Sequence, residues 1–209
     1  MAIFHFHTGI IRASSGKCAV ASAAYISGTR LYNDDARGLT FSYTHKEEVI
    51  FSEICLPENT PASLKDRQTL WNEFERVQNK ANSRNARQFD MALPVELDTT
   101  QQIELARHFI QENSVAAGMA VDWALHNKPG NPHVHVMCTV RGFNRDRSWA
   151  RMEKKVIALD ADGNRIPVID PKTEKQKVRA RKGKEWEKKL WGHKDVQSND
   201  WNSKQKLLE

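Results

Sequence analysis

The feature that most constrains this chain is the alternating segment Pro132–Val140, which reads Pro-His-Val-His-Val-Met-Cys-Thr-Val. Every second residue from Val134 onward is valine or cysteine, and this period of two predicts a strand with one side against a core. The alternation places His133 and His135 on the other side, about 7 Å apart at roughly 3.3 Å rise per residue. Two imidazole rings at that spacing are able to converge on one ion.

A third histidine precedes this strand. Residues Met119–His126 also alternate, and a turn-rich connector over residues 127–132 follows them. If the two strands pair as a hairpin, His126 lies beside His133 and His135. Three neutral imidazoles would then supply three ligands to a divalent metal and leave positions open for water or substrate. The alternative is three ordinary polar residues on a solvated face. The valine core on the reverse side implies that packing does not require the histidine side.

The remaining pattern predicts an α+β fold on an antiparallel sheet, because strands and helices are mixed and several strands are linked as hairpins. Tyr25 falls within a predicted alanine-rich helix with Ser15 as its N-cap candidate. Residues 38–56 predict two short strands, an Asp-Gly pair at 162–163 predicts a hairpin, and the polar stretch from Trp186 onward is interpreted as helical. The other predicted elements are strands at Ala2–Thr8 and Asn85–Leu93, and helices at Lys17–Leu31, from Thr60 onward, and from Asp98 to about Ala117.

Positive charge is concentrated in the last third of the chain. The formal net charge is +6, yet residues 1–145 hold 15 basic and 15 acidic side chains, whereas residues 146–209 hold 17 and 11. A run of this kind is either a solvated tail or a contact surface for phosphates, and a neighbouring site that acts on nucleic acid would favour the second. The candidate DNA-binding residues are Lys172, Lys175, Lys177, Arg179, Arg181, Lys182 and Lys184.

Cysteine usage and the apolar segments bear on the cell compartment. Cys18, Cys55 and Cys138 are odd in number and far apart, which is typical of a reducing cytoplasm. No apolar run has the length of a signal peptide or a membrane span. We therefore expect a cytoplasmic protein without membrane insertion.

Several motifs, in order along residues 1–142, resemble the MobA/MobL family of plasmid mobilisation relaxases, which are HUH endonucleases. These motifs are the opening Met-Ala-Ile-Phe-His-Phe, Ser22–Gly28 around Tyr25, Leu70-Trp71-Asn72, Asn82-Ser83, Ala86-Arg87, Ala92-Leu93-Pro94 and Asn131–His135. The resemblance implies a central antiparallel sheet of about five strands flanked by helices, with a metal on the sheet face. It also implies a catalytic core over 1–145 and a basic DNA-contacting extension of the same domain over 146–209, which we expect to be truncated.

The resemblance further implies a reaction and its participants. Tyr25 would attack a phosphodiester at the transfer origin of single-stranded or hairpin plasmid DNA, giving a 5′-phosphotyrosyl adduct and a free 3′-hydroxyl. His126, His133 and His135 would hold Mg²⁺ or Mn²⁺, which polarises the scissile phosphate. Other relaxosome proteins and coupling proteins are the further expected partners.

One position departs from the family pattern. Relatives often carry Glu directly after the Ala-Arg pair, where this chain has Gln88, which is unable to take a proton. Asp90 lies two residues further on the same strand face, so it is the candidate carboxylate of the site. The alternative role for Asp90 is that of a cross-strand salt-bridge partner, and the sequence favours neither role over the other. His5 matches the family's early histidine and is the candidate to assist Tyr25 or orient the phosphate.

Three other functions remain open at this point. A replication initiator would use the same histidines and tyrosine on a replication origin. A non-catalytic DNA-binding module would use the metal for stability alone, and its DNA behaviour would survive Tyr25→Phe. A three-histidine enzyme acting on small molecules would leave the basic last third without a role.

Overall fold

The computed structural model describes residues 5–35, 38–81, 83–180 and 187–197. The chain divides into two compact units, residues 1–150 and residues 151–209. The described residues of the first unit contain seven strands: β1 Phe6–Arg12, β2 Arg30–Tyr32, β3 Thr40–Ser42, β4 Val49–Cys55, β5 Arg84–Ala92, β6 Val121–Lys128 and β7 Asn131–Cys138. Its helices are α1 Ala19–Ser27, α2 Arg67–Val77 and α3 Thr99–Ile110.

Five of these strands form one antiparallel sheet in the order β1-β5-β7-β6-β4. The predicted α+β fold with a five-stranded central sheet is therefore confirmed. Strands β6 and β7 pair as the predicted hairpin, with Trp123 opposite Val136 and Leu125 opposite Val134. These four side chains are buried on one face of the sheet. β2 and β3 pair separately as a two-stranded ribbon.

Helices cover both faces of the sheet. On the histidine face, the indole Nε1 of Trp71 in α2 donates to Asp122 Oδ2 at 2.8 Å. On the other face, Arg107 of α3 donates to Glu53 Oε2 at 2.9 Å. The expectation that packing does not require the histidine side is wrong, since Asp122 and Ala124 are fully buried there. The alternation could not reveal this, because the cover comes from α2, which is distant in the sequence.

The helix boundaries show which caps the chain uses. α3 begins with the predicted capping box, in which Asp98 accepts from the backbone N–H of Gln101 and the Gln101 side chain accepts from Asp98 N–H. The helix expected from Thr60 begins instead at Arg67, because Pro61 is extended and Asp66 caps the Thr69 N–H. α1 is capped by Cys18 rather than Ser15 and ends at Gly28, where φ is 63°. Gly28 tolerates this left-handed conformation, which stops the helix before Leu31.

The second unit contains short strands. β8 Glu153–Ile157 pairs antiparallel with β11 His193–Gln197, and β9 Val178–Ala180 pairs with β10 Glu187–Lys189. The predicted Asp-Gly turn is present, with Gly163 at φ 83° and an isolated bridge between Leu159 and Arg165. The helical interpretation from Trp186 onward is wrong over 187–197, which forms strands, and the rest of that stretch lies outside the described residues. Within the described parts of both units, no helix has the length and apolar character needed to cross a membrane.

Candidate metal centre and its tyrosine

The hairpin register brings the three histidines together. His126 of β6 lies directly opposite His133 of β7, and His135 follows two residues along the same face. The distances between ring centroids are 5.5 Å for His126 and His133, 4.5 Å for His126 and His135, and 4.9 Å for His133 and His135. One nitrogen from each ring lies within 4.8 Å of the other two. The three rings therefore form a pocket that could hold one metal ion.

Each ring is held by a hydrogen bond at one nitrogen. His126 Nε2 lies 2.7 Å from the carbonyl oxygen of Ile26, and His133 Nδ1 lies 2.8 Å from the carbonyl oxygen of Asn131. His135 Nδ1 bonds to Asp90 Oδ1. A carbonyl or an ionised carboxylate only accepts, so each of these ring nitrogens donates. The lone pairs then lie on Nδ1 of His126 and Nε2 of His133 and His135, the atoms free to bind a metal.

The electrostatics of the pocket keep two of these rings neutral. Burial lowers the pKa of His126 to about 4, against the hydrogen bond to Ile26. Burial also lowers the pKa of His133. Metal ligation requires the neutral imidazole, so His126 and His133 are able to bind a divalent cation without first losing protons at neutral pH.

Asp90 is the carboxylate that the strand register places beside this cluster. It lies opposite His7 of β1 and opposite His135 of β7. Its Oδ2 is 3.9 Å from Nδ1 of the exposed His7. Burial alone would raise the pKa of Asp90, but the hydrogen bond from His135 and the surrounding imidazoles bring it below its usual range. An ionised Asp90 fixes the tautomer and orientation of His135.

Tyr25 lies in α1, directly before Ile26, whose carbonyl accepts from His126. Its side chain is 46% exposed, unlike the buried alanines around it. It lines a cavity of about 480 Å³ together with Gln88, Asp90 and His135. The helix tyrosine and His135 of the histidine cluster thus open into the same space.

His5 and the basic residues occupy other places. His5 lines a second cavity of about 600 Å³ with Asp90, His133 and His135. In the second unit, Lys172, Lys175 and Arg179 are exposed. Lys177 is half-buried, with its Nζ 3.9 Å from Asp170 Oδ2. The candidates Arg181, Lys182 and Lys184 lie outside the described residues.

Two features of the site were missed from the sequence. Lys46, in the segment between β3 and β4, places its ammonium 3.4 Å from the centroid of the Tyr25 ring. Tyr43 packs edge-on against that ring at 5.3 Å between centroids. Neither residue lies in a periodic element, so the sequence carried no signal for them.

Asp122 has a role that its place in the strand did not reveal. The alternation in β6 places it on the face of His126, a position from which a carboxylate is able to orient a histidine ligand. Its carboxylate instead accepts from Arg67 and from Trp71, and it is fully buried. Asp122 therefore joins α2 to the sheet, away from the three rings.

The chain resembles known proteins in both sequence and structure. A family model described as "MobA/MobL family" matches residues 17–209. The chain is 34% identical over 192 residues to "Probable mobilization protein MobA" of Bifidobacterium longum, covering 90% of this chain and 34% of that protein. It is 36% identical over 177 residues to "Conjugal transfer protein TraA" of Rhizobium radiobacter, covering 79% of this chain and 16% of that protein.

A solved structure matches along nearly the whole chain. It is described as "Molecular Basis of Vancomycin Resistance Transfer in Staphylococcus aureus". The TM-score is 0.73 and the sequence identity is 29%, and the match covers 99% of this chain and 86% of that chain.

The fold and the site define an α+β protein of the HUH relaxase class, with histidines on the face of an antiparallel sheet. The chain belongs to the MobA/MobL family. The resemblance expected from its motifs is confirmed. The chain spans only about a third of the Bifidobacterium relative and a sixth of the Rhizobium relative.

Proposed function

We propose that this chain nicks one strand of plasmid DNA at an origin of transfer, with Tyr25 as the nucleophile. The observation that carries the proposal is the shared cavity in which an exposed Tyr25 faces His135 and Asp90. Tyrosines within helices usually pack into a core or lie on a bare surface. A half-exposed phenol that shares a cavity with His135, one of three clustered imidazoles, is instead suited to attack on a phosphate held there.

The reaction is a transesterification. The phenol of Tyr25 gives up its proton as its oxygen forms a bond to phosphorus, and the bond from phosphorus to the 3′-oxygen of the preceding nucleotide breaks. The leaving 3′-oxygen takes up a proton, so the products are a 5′-phosphotyrosyl protein and a strand with a free 3′-hydroxyl. One phosphodiester replaces another, so the step needs no ATP and can be reversed to reseal the strand.

The histidines and Asp90 prepare the site for this step. His126, His133 and His135 bring one nitrogen from each ring within 4.8 Å of the other two, and Asp90 holds His135 in orientation through its Nδ1. Mg²⁺ or Mn²⁺ bound there would neutralise charge on the scissile phosphate and so favour attack. Because its pKa is lowered, Asp90 is a weak base, so it is better suited to hold His135 than to accept the phenol proton. His5, from the neighbouring cavity, is proposed to orient the phosphate.

The DNA partner follows from charge and from the names of the relatives. The exposed Lys172, Lys175 and Arg179 are proposed to contact phosphates of a single-stranded or hairpin substrate. The relatives are named as mobilisation and conjugal transfer proteins, which favours a transfer origin over a replication origin. Relaxosome and coupling proteins are proposed as further partners.

The test is covalent capture of DNA. The purified chain is incubated with labelled single-stranded oligonucleotides from the cognate plasmid and Mn²⁺, then separated by SDS electrophoresis. We expect a covalent protein–DNA band that disappears with Tyr25→Phe and with EDTA. Tyr32→Phe is the matched control, since Tyr32 is 45% exposed against 46% for Tyr25. DNA binding without any covalent band, for every candidate origin, would favour the non-catalytic module.

A further inference from the structure

Lys46 is a buried cation in direct contact with the proposed nucleophile. Its side chain is 7% exposed, although lysine is rarely buried without a partner. Its Nζ lies 3.4 Å from the centroid of the Tyr25 ring and 3.3 Å from the Tyr25 carbonyl oxygen. Glu48 Oε1, at 3.6 Å, balances the charge.

A purely structural role explains part of this arrangement. The Tyr25 carbonyl lies in the last turn of α1, where a cation interacts favourably with unpaired carbonyls and with the negative end of the helix dipole. That role needs only the backbone contact. It does not require the ammonium to lie over the aromatic ring, where the quadrupole of the ring attracts it.

The ring contact matters because Tyr25 is otherwise weakly held. Tyr25 is 46% exposed, and its ring contacts the Tyr43 ring, with the two planes at 86°, and the Lys46 ammonium over its face. A half-exposed aromatic side chain has several rotamers available to it. The contacts with the Tyr43 ring and the Lys46 ammonium restrict the orientations open to the Tyr25 ring. In the observed orientation, Tyr25 lines the same cavity as Asp90 and His135.

We propose that Lys46 is a positioning residue that clamps the Tyr25 ring toward the histidine cluster. The inference rests on the proposed function, in which Tyr25 is the nucleophile. Lys46 acts through Tyr25 and needs no contact with DNA. The groups facing its ammonium are Tyr25, Glu48 and, at longer range, His126, whose pKa its charge helps to lower.

The test compares Lys46→Met, which keeps the length of the side chain without its charge, with Lys46→Arg, which keeps a cation over the ring. Lys65→Met, at an exposed lysine, is the control. Single-turnover adduct formation is measured at saturating oligonucleotide with Mn²⁺, and oligonucleotide affinity is measured separately in EDTA. We expect Lys46→Met to slow adduct formation roughly 10- to 100-fold, as a misplaced nucleophile does, with unchanged affinity. Lys46→Arg should recover most of the rate.

A second measurement reports on the ring without catalysis. 3-Fluorotyrosine incorporated into the protein gives three ¹⁹F resonances, one for each tyrosine, and Tyr25→Phe identifies that of Tyr25. We expect Lys46→Met to shift this resonance toward the solvent-exposed value and Lys46→Arg to leave it close to wild type. If Lys46→Met is unstable, Lys46→Gln replaces it in both measurements.

The outcomes separate the two proposals. If the wild type forms the adduct and Lys46→Met forms it at the same rate, Lys46 acts only as a helix cap. That result would overturn the inference about Lys46 and leave the proposed function intact. Equal losses of rate in Lys46→Met and Lys46→Arg would overturn the inference as well. A wild-type protein without any adduct would overturn the proposed function, and the ¹⁹F resonance would then decide whether the clamp exists.

Discussion

The buried His126 predicts that the metal-free protein loses stability in mild acid. Its ring is 1% exposed and its pKa is lowered from 6.5 to about 4 by burial. Above pH 6.5 the ring is neutral in both the folded and the unfolded chain, so it contributes no pH dependence. Between pH 6.5 and 4 only the unfolded chain binds the proton. The free energy of unfolding must therefore fall as the pH falls through that window.

The size of the effect follows from the same two pKa values. Proton uptake by the unfolded chain at pH 5 lowers the free energy of unfolding by about 2 kcal/mol relative to pH 7, from this residue alone. The limit below pH 4 is about 3 kcal/mol, since each pKa unit corresponds to about 1.4 kcal/mol. His133, whose pKa is also lowered, adds in the same direction.

The assay is urea unfolding in EDTA at pH 7 and at pH 5, for wild type and His126→Gln. Other titrating groups contribute to both proteins, so the difference between their pH dependences isolates His126. We expect the wild type to lose about 2 kcal/mol more than the variant between the two pH values. Equal losses of unfolding free energy in the two proteins would mean that burial does not keep the His126 ring neutral in the folded protein.

Three other perturbations have defined outcomes. Asp90→Asn removes the carboxylate that holds His135, so the affinity for Mn²⁺, measured by titration calorimetry, should fall about 10- to 100-fold. An unchanged affinity would contradict the role assigned to Asp90. Asp122→Ala leaves Arg67 buried without its partner, so urea unfolding should show a loss of about 3–5 kcal/mol, with Mn²⁺ affinity per folded molecule unchanged. Replacing Lys172, Lys175 and Arg179 with Gln should reduce the slope of log affinity against log salt by about 2 for single-stranded DNA, and an unaltered slope would exclude phosphate contacts there.

The sheet and the histidine cluster were predictable because they depend on local periodicity. The alternation in Pro132–Val140 determined which side chains share a face, and the short connector after His126 determined that the two strands pair. The capping box at Asp98 was equally local, since both of its hydrogen bonds join residues three apart. These features require no knowledge of the distant parts of the chain.

The misplaced elements depend on long-range packing or on competing local signals. Thr60 and Asp66 are both acceptable caps, and the extended Pro61 decides in favour of the second. Asp122 was placed on the correct face, but only the arrival of α2 determines that Arg67 and Trp71 bind it. Lys46 reaches Tyr25 across 21 positions of the chain, from a segment without a pattern. Contacts of this kind become visible only in the folded structure.

The central claim is that the phenol of Tyr25 becomes covalently joined to DNA, and peptide mapping tests it most directly. Trypsin cleavage places the three tyrosines in separate peptides, with Tyr25 in residues 18–30, Tyr32 in 31–37 and Tyr43 in 38–46. The Mn²⁺-dependent adduct is digested with nuclease and trypsin and analysed by mass spectrometry. We expect a nucleotide phosphate on peptide 18–30, located on Tyr25 by fragmentation. A phosphate found on peptide 31–37 or 38–46, or on a serine of peptide 18–30, would contradict the assignment of Tyr25 as the nucleophile.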